Sequence, residues 1–181
     1  FPNAVCGIVS TVSMFYVGLH FHSRKFGIIW CLIYVASLLP HFYFKSGIID
    51  PWLNLFIFLS TFNCIRFLNN PSGKKEILNS IFSGVFLGLA VLTKGPAALI
   101  IMFLTVFLLT IWDKNYPILR SQNFILFLIS TVFISSSWFI LEWISGNKNV
   151  VIEFITYQIR LFNTGDSGHD GSFFYHFIVL L

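Results

Sequence analysis

The sequence predicts an all-α fold, a multi-pass transmembrane helical bundle, and three observations predict it. Of the 181 residues, 56% are hydrophobic and 19% aromatic, while only 10% are charged. A soluble domain carries roughly 25% charged residues, so this chain cannot cover a water-facing surface. Apolar runs long enough to cross a bilayer, about 20 residues each, recur along its length, and the breakers Pro40, Pro51, Pro71, Pro96 and Pro117 lie at or near their ends. The net charge of +4 is scattered through short connections, without the stripe or long run of a nucleic-acid footprint.

Six spans are expected, at about 4–20, 26–40, 51–69, 77–93, 96–112 and 123–144, with the start of a seventh near Phe173. The first holds Cys6; with Cys31 and Cys64 in later apolar stretches, the odd cysteine count points to small core-filling thiols and not to a disulfide framework. No basic segment or cleavage site precedes this run in the sequence, and a spanning helix is expected here in place of a signal peptide. The second is short, and its end is expected to continue through "HFYF". The third follows Asp50-Pro51, a helix-start dipeptide in which Asp accepts from free amides as N-cap and Pro suits the first helical position. Gly95-Pro96 separates the fourth, ending at Thr93, from the fifth. The sixth contains Ser135-Ser136-Ser137, small residues suited to close helix packing and not a nucleophile. In the last long loop, Val151, Phe154, Ile155, Ile159 and Phe162 recur at helical spacing opposite Glu153, Thr156, Tyr157 and Arg160, the pattern of a helix lying in the membrane interface. No internal repeat, linker or separate soluble domain is visible. The opening at Phe1 and the close inside "FFYHFIVLL" make residues 1–181 the expected internal part of one transmembrane domain, truncated at both ends.

Loop charge orients the bundle. The first, third and fifth connections hold Arg24, Lys25, Arg66, Lys74, Lys75, Lys114 and Arg120 against two acids, Glu76 and Asp113. The even connections hold the other four cations against five acids. The positive-inside rule therefore puts the odd connections in the cytoplasm, with Trp30 and Trp112 toward the inner interface and Trp52 and Trp143 toward the outer. Asp50, Lys94, Glu153, Arg160, Asp166, His169 and Asp170 then share the extracytoplasmic face.

Three stretches can carry chemistry there. In "KSGIIDPWLNLF", Asp50 is a helix cap, a carboxylate aimed from the outer surface, or both. In "GLAVLTKGPAALI", Lys94 reads as a snorkelling lysine or as part of an anion site. Pro96 opens a helix whose first amides and positive dipole end lie beside the ammonium. Insertion scales put a lone ammonium at the centre of a spanning helix at roughly 2.5–3.5 kcal/mol, a cost that a phosphate at the interface offsets. In "NTGDSGHDGS", Asp166, His169 and Asp170 lack a matching ligand pattern, so a divalent-metal site and a solvated loop both stand. No phosphate-binding Gly-rich loop, zinc signature or Ser-His-Asp order is present.

The ordered set "PNAVCGIVSTV", "YFKSGIIDPWLNLF", "GLAVLTKGPAAL" and "YQIRLF…DSGHDGSFFYHFIVLL" resembles, over essentially the whole chain, the membrane glycosyltransferases of the dolichyl-phosphate-mannose–protein mannosyltransferase and lipid A aminoarabinose transferase kind, in the C-type glycosyltransferase superfamily. The "LTKGP" and "GH-x-G-x-F-x-Y" stretches are its most specific parts. The resemblance implies Lys94 and Arg160 as contacts of a lipid-carrier phosphate, Asp50 as a supporting acid near the catalytic cavity, and His169 as a histidine that recurs in the late loop. Asp166, Glu153 and Tyr157 are further cavity candidates. It places the family's principal acid upstream of Phe1. Where aminoarabinose transferases carry an acidic–His pair, this chain has Thr156 and Tyr157, a departure that weakens the transfer of their metal site and of their exact substrate.

The expectation is thus an inverting integral membrane glycosyltransferase, of a bacterial inner membrane, with its active site outside. It would take a sugar from a polyprenyl-phosphate donor to a lipid, glycan or protein acceptor, with no certain cofactor, and the segment alone would be inactive. A transporter or flippase for a lipid-linked anion would use the same cations without chemistry, but internal repeats and broken mid-membrane helices are not evident in the sequence. A purely structural subunit leaves the clustering of polar residues on one face unexplained.

Overall fold

The computed structural model describes residues 1–69, 74–112 and 122–163, and these contain helices and no strand. Eight helices follow in order: α1 (Pro2–Phe21), α2 (Arg24–Ala36), α3 (Leu38–Lys45), α4 (Asp50–Asn69), α5 (Lys74–Lys94), α6 (Pro96–Trp112), α7 (Gln122–Ile144) and α8 (Lys148–Asn163). In hydrocarbon every backbone amide and carbonyl must find a partner within the protein, which leaves helices as the form such apolar runs take. The chain forms two compact units, Phe1–Ser137 and Trp138–Leu181. The expected seventh span lies outside the described residues.

Among the described residues, α1, α4, α5 and α7 are long and apolar enough to cross a membrane. The expected single span at 26–40 is instead the bent pair α2–α3, turned by 65° at Ser37. Pro40 explains the break. In a continuous helix it would leave the Ala36 carbonyl without a donor and its ring would clash there. Starting a new helix at Leu38 puts Pro40 in a first turn, where no amide is needed. Ser37 finishes α2 by donating its hydroxyl to Ile33 O at 2.7 Å and its amide to Tyr34 O at 3.2 Å. Helix α6, with 17 residues, is about 26 Å long, a little under the ~30 Å hydrocarbon core.

The first unit is held by small and polar contacts between apolar helices. Helix α2 is pinned to α1 by Cys31 Sγ on Thr11 O at 3.2 Å, and Ser23 caps its start by accepting from Phe26 N. Between α4 and α5 two fully buried serines bond reciprocally: Ser60 Oγ donates to Ser83 O at 2.9 Å and Ser83 Oγ to Ser60 O at 2.8 Å. Around them lies a core of Leu53, Cys64, Phe67, Leu68, Leu87, Ala90, Ala98, Met102 and Phe127. Helix α7 lies against α5 where Gly84 and Gly88 expose bare backbone: a Cβ on Gly84 would stand 2.4 Å from the Phe127 carbonyl oxygen, and one on Gly88 2.6 Å from Ile134 Cβ. This is the small-xxx-small spacing by which membrane helices approach closely. Ser80 Oγ adds a hydrogen bond to Asn123 O on α7.

Lipid supplies no hydrophobic drive between helices, so packing carries the association. Gly84→Leu in the full-length protein is therefore expected to lower the thermal midpoint in detergent clearly more than Ser83→Ala, whose lost hydrogen bond is worth about 0.6 kcal/mol on average in membranes. Equal midpoints for the two variants would show that the close α5–α7 contact is not a determinant of the fold.

Candidate functional site

The start of α4, the end of α5 and the start of α6 meet at one end of the first unit. Ile49 O accepts from Trp52 N at 3.1 Å and from Leu53 N at 3.3 Å, so Ile49 is the entry residue of α4 and Asp50 already belongs to its first turn. The sequence expectation of Asp50 as N-cap shifts by one residue: Pro51 needs no amide partner there, and the carboxylate is turned to the end of α5. It forms an ion pair with the Lys94 ammonium. Lys94 is the last residue of α5, one beyond the expected end at Thr93. Gly95 follows at φ 65°, in the left-handed region that glycine enters without steric cost, and its amide closes α5 on Val91 O at 2.7 Å. Pro96 then opens α6.

The pairing is a consequence of register. Asp50 is ten residues before Ser60, and Lys94 is eleven after Ser83. At 1.5 Å per residue these are about 15 and 16 Å, so two antiparallel helices joined at the serines present the carboxylate and the ammonium at one level. Each charge also suits its helix end, an anion at an N-terminus and a cation at a C-terminus. The side chains keep 30% and 42% of their surface, respectively, and a pair that open contributes at most about 1 kcal/mol to stability. What the pair does is hold a cation and a carboxylate accessible together beside the first amides of α4 and α6.

Asn3, which sequence reasoning passed over, ties α1 to this end. Its Nδ2 donates to Ser46 O at 2.7 Å and Ile48 O at 2.8 Å, in the segment leading to Asp50. Asn immediately after a helix-opening Pro was the available signal, but its partners lie more than forty residues away.

The other described candidates belong to the second unit. Helix α8 is the expected amphipathic helix: Val151 is buried, Phe154 meets Trp138 and Phe139 edge-on at 5.7 and 5.5 Å, and Ile155 and Ile159 remain exposed. Glu153, Thr156, Tyr157 and Arg160 share one face, as their spacing predicted, and with Ile152 line a recess of about 230 Å³. The Arg160 guanidinium lies 5.8 Å from the centre of the Tyr157 ring. Asp166, His169 and Asp170 lie outside the described residues. Among the described residues no group of three or more His, Cys, Asp or Glu is placed to hold a metal ion.

A bundle of apolar helices with an accessible ion pair where three of them end is an integral membrane protein with a polar site at one end of its helices. Comparison with known proteins makes this specific. Residues 1–154 match the family model described as dolichyl-phosphate-mannose-protein mannosyltransferase, and the chain belongs to that family. It is similar to undecaprenyl phosphate-alpha-4-amino-4-deoxy-L-arabinose arabinosyl transferase 2 of Proteus mirabilis, 25% identical over 88% of this chain and 29% of the relative. It is also similar to the corresponding arabinosyl transferase of Photorhabdus laumondii, 22% identical over 100% of this chain and 33% of the relative. The chain thus spans about a third of the length of these relatives. No solved structure matches it.

Cysteines replacing Asp50 and Lys94 in the full-length protein are expected to be joined by a short bifunctional thiol reagent, whereas cysteines at Arg66 and Lys94 are not. Equal cross-linking of both pairs, read by the mobility of a protease-split chain, would refute the register.

Proposed function

We propose that this chain is the part of a polyprenyl-phosphate-sugar-dependent glycosyltransferase that holds the donor's phosphate, on the extracytoplasmic face of a cell membrane. The observation that carries the reading is the accessible Asp50–Lys94 pair at the ends of α4, α5 and α6, in a chain of the mannosyltransferase family. The loop-charge asymmetry supports the outward side. The names of the two relatives support an undecaprenyl-type carrier.

The donor phosphate competes with the Asp50 carboxylate for the Lys94 ammonium, and it gains the first amides of α6 as further donors. Transfer is one displacement. The acceptor oxygen attacks the anomeric carbon, and the bond from that carbon to the phosphate oxygen breaks. The electron pair leaves with the carrier phosphate, and the acceptor's proton passes to a carboxylate. Lys94 stabilises the negative charge that grows on the departing phosphate. Asp50, displaced from the ammonium, is a carboxylate released close to the reaction, in a supporting role to proton transfer. Direct displacement inverts the anomeric centre. Arg160 enters as a second phosphate contact from the family pattern alone. Glu153 and Tyr157 share its helix face, and His169 and Asp166 follow it in sequence.

In the full-length protein, assayed with a lipid-phosphate sugar donor, Lys94→Ala is expected to lower kcat by about 10²–10³, the usual effect of deleting one donor to a developing oxyanion, and Lys94→Arg to lose less. Transfer at the wild-type rate by the alanine variant would remove Lys94 from the phosphate site. Asp50→Asn separates binding from turnover: donor binding is expected to tighten, because the competing carboxylate is gone, while kcat falls. Weaker donor binding by this variant would show that Asp50 holds the donor and does not compete with it.

A further inference from the structure

The opposite end of the first unit carries charge that the donor site does not use. Along α4, Arg66 is about 24 Å from Asp50, close to the thickness of the hydrocarbon core. Its guanidinium lies 5.4 Å from the centre of the Phe62 ring. Phe62 also takes His20 and Phe21 from the end of α1 edge-on, at 5.5 and 5.7 Å. On α2, Phe26 leans on Trp30 at 5.8 Å and Trp30 meets Phe58 of α4 at 5.9 Å. These contacts put Arg24 and Lys25, the first residues of α2, at the level of Arg66. The Ser60–Ser83 register puts Lys75 of α5 at the level of Leu68, within a turn of the same place.

Four cations therefore share one rim, and Arg24, Lys25 and Lys75 are exposed. Three of them stand in the first turns of α2 and α5, where the helix dipole is already positive and a cation is disfavoured. Glu76 lies beside them on α5, and α2 has no acid in its first turn. Among the described residues the ion pair is at the other end, between Asp50 and Lys94, and Glu76 sets one acid against these four cations. The aromatic rings just below it have the placing of an interfacial belt, one end in the acyl region and one at the headgroups.

We infer that this rim is a binding site for the headgroup of an anionic phospholipid. The lipid phosphate would lie between Arg66 and the Arg24–Lys25 start of α2, and its acyl chains would run down over Phe62 and Trp30. Charge complementarity names the occupant: an anion is required, and the belt of rings places it at the end of an acyl chain and not free in solution. The site is independent of the glycosyltransferase reading, since it uses no residue of the Asp50–Lys94 site.

The test is lipid retention by the full-length protein, counted by native mass spectrometry after extraction from vesicles of equal phosphatidylglycerol and phosphatidylcholine. The protein is expected to keep phosphatidylglycerol in preference to phosphatidylcholine. Each surface cation contributes roughly a fivefold factor to binding at an anionic membrane. Arg24→Gln with Arg66→Gln is thus expected to cut retention about 25-fold, while Arg24→Lys with Arg66→Lys keeps most of it. Should the glutamine pair fail to fold, Lys25→Gln with Lys75→Gln, at exposed positions only, is expected to give a fall of the same order. Lys45→Gln, at an exposed position at the other end of the unit, is expected to leave retention unchanged. Equal retention of the two lipids, an unchanged count in the folded glutamine variants, or an equal loss in Lys45→Gln would each overturn the proposal.

Discussion

The antiparallel join of α4 and α5 is the contact on which the rest of the first unit depends. Two buried serines, each donating to the other's backbone carbonyl, mark one register between two largely apolar helices. Apolar contacts between helices in lipid set register weakly, because one leucine-rich face fits another at several offsets. A reciprocal hydrogen bond fits at one. With the register set, the carboxylate at the start of α4 and the ammonium at the end of α5 arrive at the same level, and the rims at both ends of the unit follow.

The two ends are built on opposite electrostatic logic. At one, Asp50 and Lys94 each complement the dipole of their helix and each other. Such a pair is weakly held when half exposed, which suits the proposed exchange of a carboxylate for a phosphate. At the other, cations stand against the dipoles of α2 and α5, above a ledge of aromatic rings, and an anionic headgroup is the proposed counter-charge. The family membership bears on the first end, where a lipid-linked phosphate is the proposed ligand.

The break at Ser37 shows how the same backbone constraint yields a different local answer. Pro40 removes a donor that a continuous helix requires, and a new start at Leu38 removes the requirement. Periodicity could place apolar residues on this stretch and foresee its run through "HFYF". The choice between a continuous span and a bent pair depends on which carbonyl is left unsatisfied. The amphipathic α8 was more legible, because Glu153, Thr156, Tyr157 and Arg160 share a face by spacing alone, whatever the helix packs against.

The sequence by itself determined the class of fold, the helix boundaries to within about three residues outside the 26–40 stretch, the face of α8 and the place of Lys94 at a helix end. All of these follow from local quantities: hydropathy over a span, Gly and Pro as breakers, and charge where lipid forbids it. Only the tertiary structure decided that Asp50 is the partner of Lys94, that Asn3 ties α1 to the segment before Asp50, and that Phe62 gathers Arg66 with the end of α1. Apart from Arg66 on Phe62, one turn away on α4, those pairings join residues forty or more positions apart. They are set by helix register and close backbone approach, which depend on two helices at once and leave no periodic trace in either.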